Sequence, residues 1–157
     1  METVSHTMYE AALTHTWERF APHLSGSREG LILVVSKRTL EESAIQALEK
    51  SFSALGWGQN VTTFLSLHTK EQTKNEPIAD SALFETVEGI DPFMIVAADQ
   101  PAAEALSCAY HCEIPLMEHS RLLGRDLCAF PSFSALLASD ETKRKAWRLL
   151  KSLPKPH

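Results

Sequence analysis

Several things are scarce in this chain, and each scarcity closes off a class of function. Only three cysteines occur in 157 residues, Cys108, Cys112 and Cys128. They are odd in number, lack the paired C-x-x-C spacing of zinc and redox sites, and cannot furnish a four-thiolate site within one chain. No metal site and no cofactor is therefore expected, and the three thiols are read as small buried hydrophobes. The C-x-x-x-C spacing of the first two places them on one helical face. No apolar run approaches the roughly 20 residues that a membrane-spanning helix requires, so no membrane partner is expected. Positive charge is also short. Fifteen Lys and Arg stand against twenty Asp and Glu, a formal net charge of −5. Phosphate neutralisation needs a concentrated basic surface, so nucleic-acid binding is expected to be weak or absent. One local exception, Lys143, Arg144, Lys145, Arg148, Lys151 and Lys155, reads as the solvated face of a terminal helix, where cations complement the helix dipole.

Signature motifs are missing as well. There is no glycine-rich phosphate cradle, no G-x-S-x-G elbow around Ser132 or Ser134, and no H-E-x-x-H among His6, His15, His23, His68, His111, His119 and His157. Each histidine is expected to be a surface or half-buried side chain. Internal repeats and low-complexity segments are absent. The opening METVSHTMYEAALTHTWERF resembles neither a secretory signal nor a transit peptide, which makes the cytoplasm the expected address.

What is present is an alternation of helical and strand patterns of single-domain length. Tyr9, Leu13, Trp17, Phe20 and Leu24 recur at three- and four-residue steps and predict an amphipathic helix over 5–24. It closes an N-terminal segment, 1–26, that packs on an α/β core formed by 27–157. The run LILVVS (31–36) is apolar on both faces, as in a central strand. Thr39 and Glu42 have capping-box spacing before a helix over 40–55 that stops at Gly56. A second strand (60–67) leads into a long polar loop. A helix follows Pro77 and closes at Gly89 and Pro92, before the strand FMIVAA (93–98). Asp99 or Gln100 caps the helix that Pro101 opens. Short strands are expected at EIPLM (113–117) and, after a Gly124 turn, at DLCAF (126–130). Ser139 and Asp140 cap a last helix with Trp147, Leu150 and Leu153 inward. The predicted fold is α/β in three layers, α/β/α, around a mainly parallel central sheet of about four strands.

In such sheets ligands bind beyond the carboxyl ends of the strands, where the strand order reverses. The candidate ligand-binding residues are therefore Ser36, Lys37, Arg38, His68, Asp99 and Ser132. Lys37 and Arg38 beside a helix N-terminus suit an anion. Asp99 has a competing role as a helix cap and Ser132 as a turn-forming hydroxyl.

The order of these segments resembles that of the uracil-DNA glycosylase superfamily, particularly its smaller microbial members. Pro92, Ile95, Val96 and Ala97 match a P-x-x-I-V-A-L-G strand, and Ala102 and Leu106 the A-x-x-x-L helix after it. Ser134, Leu136 and Leu137 match the end of H-P-S-x-L-L, while Lys143, Trp147, Leu150 and Leu153 match a K-x-x-x-W-x-x-L-x-x-L helix. LILVVS and ALGWGQNVTTFLSL are similar to the family's first two strands, so the resemblance spans about two thirds of the chain. It implies a glycosylase-like scaffold whose working residues are lost. The H-P of the H-P-S turn falls on Ser132 and Phe133, the G-E-A-P-G loop falls on residues 36–40, and the segment with the base-stacking Phe is deleted. None of the iron-sulfur cysteines of the cluster-bearing subfamilies is matched. A flipped uracil is read by stacking and hydrogen bonds, and its departure needs charge stabilisation, so uracil excision is not expected. The resulting expectation is a non-catalytic or functionally diverged protein that binds a small anionic or nucleobase-like ligand, or a protein partner, at the strand-end cleft. The alternative is a nucleotide or DNA hydrolase whose chemistry has moved to Asp99, His68 or Ser132. A subunit serving only association is a third reading.

Overall fold

The computed structural model describes residues 8–28, 30–69 and 77–154. Along the chain run α1 (Met8–Phe20), a 3-10 turn (Ala21–His23), β1 (Leu24–Gly26), β2 (Ile32–Ser36), α2 (Glu42–Ala54), β3 (Thr62–Ser66), α3 (Asp80–Ile90), β4 (Met94–Ala97), α4 (Gln100–Tyr110), β5 (His119–Leu122), β6 (Arg125–Ala129), α5 (Phe133–Leu136) and α6 (Asp140–Ser152). The fold is α/β. Its sheet has six strands in the order β1-β3-β2-β4-β6-β5. The four inner strands are mutually parallel, while β1 and β5 run antiparallel along the two edges. The expectation of about four mainly parallel strands is thus corrected to a six-stranded mixed sheet. Its two added strands are short and exposed on one face, so neither carries the continuous apolar run that marks a strand covered on both sides.

Period-2 alternation divides the inner strands between two cores. Leu33, Val35, Leu65, Ile95, Ala97, Leu127 and Ala129 face α1, α3 and α4. Ile32, Val34, Phe64, Met94, Val96 and Cys128 face α2 and α6, and Phe133 of α5 joins the same core. Helices therefore cover both faces, and every residue of β2, β3 and β4 is buried. No described helix is long and apolar enough to cross a membrane.

Several local expectations change. The N-terminal helix stops at Phe20, because Pro22 tightens the chain into the 3-10 turn, and residues 24–26 join the sheet instead of extending the helix. The beginning of the helix expected over 5–24 lies outside the described residues, as does most of the polar loop before Pro77. The cap of α2 is Glu41, with no side-chain cap bond, so the Thr39 and Glu42 capping box does not form. Gly89 lies inside α3, which ends one residue later at Ile90 and is capped by Asp91 in the left-handed conformation. A Cβ on Gly89 would stand 1.9 Å from Thr16 Oγ1, so this glycine marks the close approach of α1 to α3 rather than a helix end. Residues 113–117 form no strand. Pro115 offers no N–H there, and the strand lies instead at His119–Leu122, turned back through Leu123 and Gly124, both at positive φ. Trp147 is 36% exposed, because the inward row of α6 is Ala146, Leu149 and Leu150, continued by Leu153. Trp147 sits one position round the helix from that row.

Candidate functional site

The chain moves from β2 out to β3 and then back across to β4 on the other side of β2. The strand order therefore reverses between β2 and β4. Their carboxyl ends lead into the turns after Ser36 and Ala97, and the candidate residues gather there. Asp99 Oδ2 accepts a hydrogen bond from the Lys37 amide at 2.9 Å, and Oδ1 accepts from the Ala102 amide at 2.9 Å. One carboxylate thus caps α4 and clasps the loop after β2. Asp99 also forms an antiparallel bridge with Ser132, and the Gln100 amide donates to the Pro131 carbonyl at 3.1 Å. Ser132 Oγ caps α5 by accepting from the Ala135 amide at 3.2 Å. Ser36 is buried and its hydroxyl donates to the Arg38 carbonyl at 2.6 Å. The half-buried His68 is linked to the same loop, its amide donating to the Lys37 carbonyl at 3.0 Å.

All six candidates therefore lie around one end of the sheet, in two roles. Asp99 and Ser132 hold backbone, as the cap and turn readings anticipated, and Ser36 does so as well. Lys37 and Arg38 are exposed, and His68 is half-buried beside them. The nearby helix N-termini already carry acidic groups, Glu41 and Glu42 at α2 and Asp99 at α4, so an anion here depends on side-chain cations more than on helix dipoles.

A groove that the sequence reading missed opens beside this turn, on the β1 and β3 side. It has a volume of about 500 Å3 and a mixed lining in which Ala21, Pro22 and Leu24 accompany His23, Ser25, Thr39, Ser66 and Thr69. His23 Nδ1 lies 2.7 Å from the Ser66 carbonyl. Thr39 directly follows the Lys37 and Arg38 pair, but none of the six candidate residues lines this groove. The available signal was Ser66, at the end of β3, but the contribution of His23 depends on β1, whose three residues are too few for a pattern.

Two further constellations bear on chemistry. His119 Nε2 stands 2.8 Å from Asp126 Oδ1 across the β5–β6 hairpin, and His119 pairs in register with Cys128. A search at helical spacing misses this pair because it is made by strand register. Cys128 is fully buried, and burial pushes its thiol well above the ordinary range, so it stays protonated and out of reach as a nucleophile. Cys108 and Cys112 are exposed, which corrects the expectation of three buried thiols. Cys108 points away from the inward row of α4, and Cys112 lies past its end. Among the described residues no three His, Cys, Asp or Glu side chains converge as a metal site. The basic residues Lys143, Arg144, Lys145, Arg148 and Lys151 are exposed along α6, while Lys155, His6 and His157 lie outside the described residues. No protein-family model and no curated protein matches the chain.

Proposed function

We propose that this chain is a non-catalytic, functionally diverged protein on a uracil-DNA glycosylase-like scaffold, working in the cytoplasm, that binds a small anionic or nucleobase-like ligand at the carboxyl end of its sheet. The observation that carries the reading is the division of labour at the switch point. Asp99, Ser36 and Ser132 hold backbone groups, and Lys37 and Arg38 are exposed next to Thr39, which lines a groove together with Ser66 and His23. Two cations and several hydroxyls suit a phosphate or carboxylate held by charge-assisted hydrogen bonds. They do not supply the paired acid and base that hydrolysis would require. The net charge of −5 supports a small ligand over a nucleic-acid strand.

Titration of isotopically labelled protein with inorganic phosphate, uracil and uridine monophosphate tests this reading. Saturable amide shifts confined to residues 36–39, 66–69 and 23–25, lost in the Lys37→Ala, Arg38→Ala double variant, are expected for phosphate and the nucleotide. Shifts spread evenly over the surface, or unaffected by the double variant, would refute it.

A further inference from the structure

The positive charge of the chain is concentrated in one place. Six of its fifteen Lys and Arg fall within residues 143–157, which hold no Asp or Glu, and the rest of the chain sets nine Lys and Arg against all twenty acids. Five of the six, Lys143, Arg144, Lys145, Arg148 and Lys151, lie exposed on α6. Among the described residues none of these five side chains is engaged by an ion pair or a hydrogen bond, whereas Arg19 and Arg125 are held by carboxylates. Asp140 and Glu141, four residues before Arg144 and Lys145, are the acids of this helix, and no ion pair joins them to those cations.

Helix electrostatics do not account for this pattern. The macrodipole favours a cation within the last turn, where Lys151 stands, and its effect does not extend back to Lys143, Arg144 and Lys145 in the first half. Arg144 and Arg148 are four residues apart, and Lys145, Arg148 and Lys151 are three apart, so like charges repel along the face. Trp147 stands among them, 36% exposed, with Lys143, Arg144 and Lys151 as its neighbours at helical spacing. A half-exposed indole at the centre of a cationic face that no carboxylate neutralises has the composition of a recognition anchor.

We propose that the exposed face of α6 is a docking surface for an acidic segment of another protein. An apolar side chain of that segment seats on Trp147, and its flanking Asp or Glu meet Lys143, Arg144, Arg148 and Lys151. The extent of the patch selects this occupant. From Lys143 to Lys151 the helix rises only about 12 Å. Outside it acids predominate: Asp140 and Glu141 at the start of α6, and Glu41, Glu42 and Glu49 against Lys50 along α2, which covers the same face of the sheet. A nucleic-acid strand or an anionic bilayer carries its charge well beyond the patch and would meet those acids, whereas a protein segment confines its carboxylates to the stretch that faces α6. A second copy is disfavoured because chains of net charge −5 repel one another.

The probe is a synthetic amphipathic Leu–Glu helical peptide, titrated into labelled full-length protein. A Leu–Lys peptide of the same length, a single-stranded thymidine oligonucleotide and phosphatidylserine vesicles serve as comparators. Saturable Leu–Glu binding is expected, with amide shifts confined to residues 140–153 and an affinity that falls as salt is added. It should weaken about tenfold or more in the Lys143→Gln, Arg144→Gln double variant. Both changes are on exposed side chains, so an unaltered Tm in this variant separates lost docking from lost folding. Trp147→Ser should weaken binding by a similar factor while leaving its salt dependence in place. Absence of saturable binding, equal binding of the Leu–Lys peptide, shifts centred on Lys37 and Arg38, or unchanged affinity in the double variant would overturn the proposal. So would tighter binding of the oligonucleotide or the vesicles, or self-association of the unmodified protein that the double variant abolishes, because the occupant would then be a nucleic acid, a membrane or a second copy.

Discussion

The carboxylate of Asp99 accepts a hydrogen bond from the backbone amide of Lys37, 62 residues earlier in the chain. With its other oxygen capping α4, it joins the carboxyl ends of β2 and β4 where the sheet order reverses, the place where a ligand would sit. The same residue therefore shapes the candidate site and stabilises the fold around it.

Removing this clasp should be costly although Asp99 is only half-buried. Asp99→Ala loses a helix cap and a second charge-assisted acceptor, for an expected cost of about 2 to 3 kcal/mol. Asp99→Asn keeps one acceptor oxygen and should lose about half as much. Urea denaturation of the three proteins at constant m-value measures the difference, and an Ala variant within about 0.5 kcal/mol of the parent would show that the clasp contributes little.

Gly89→Ala would ordinarily stabilise a helix interior by about 0.5–1 kcal/mol. Here the added Cβ meets Thr16 Oγ1 at 1.9 Å and Thr16 Cβ at 3.0 Å, between helices whose packing sets one core. A net loss of about 1–3 kcal/mol is expected from overpacking. Thr16→Ala should relieve part of it, giving a favourable coupling in the double-mutant cycle. Additive losses would indicate that the two helices part freely.

The fold was legible wherever the chain is apolar over several residues. Residues 31–36 and 93–98 have no polar face to reveal, and tertiary burial on both sides of the sheet needs none. The edge strands were not legible for the complementary reason. Leu24–Gly26 and His119–Leu122 each bury a single residue, and their pairing is set by a 3-10 turn and by the Leu123-Gly124 hairpin. Among the site residues, the cap roles of Asp99 and Ser139 follow from local spacing and are observed. The groove around His23 and Ser66, and the His119 and Asp126 pair, depend on strand register, which local spacing does not encode.

The thiols should divide by accessibility. Cys108 and Cys112 are exposed and should react with a thiol reagent in the native protein, while Cys128 should react only on unfolding. Burial holds the Cys128 thiol protonated in the folded state, whereas the unfolded chain releases that proton near pH 8.5. Above that pH the folded state binds more protons than the unfolded one, so stability should fall as pH rises, by up to about 1.4 kcal/mol per unit. Tyr110, raised first by burial and then by its bond to Glu88, adds to the slope above about pH 10. Comparing denaturation curves at pH 8 and pH 10 for the parent and Cys128→Ala isolates the thiol's share, and equal slopes in the two proteins would contradict its assignment.

The purified protein should not excise uracil from DNA. Glycosidic cleavage expels an anionic base, and a group that stabilises such charge is commonly responsible for about a hundredfold to a thousandfold in rate. The turn that would present a histidine presents Ser132, whose Oγ already caps α5. The loop that would hold a water-activating acid carries Lys37 and Arg38 instead, and Asp99, the acid at the same end of the sheet, accepts backbone amides with both oxygens. Ser132→His alone should not create activity, because catalytic groups that act as a unit are not restored one at a time. Single- and double-stranded oligonucleotides containing uracil, incubated with the parent and with Ser132→His and then treated with alkali, should remain intact. Enzyme-dependent strand cleavage by the parent protein would refute the non-catalytic reading and return Asp99, His68 and Ser132 to consideration as a relocated catalytic set.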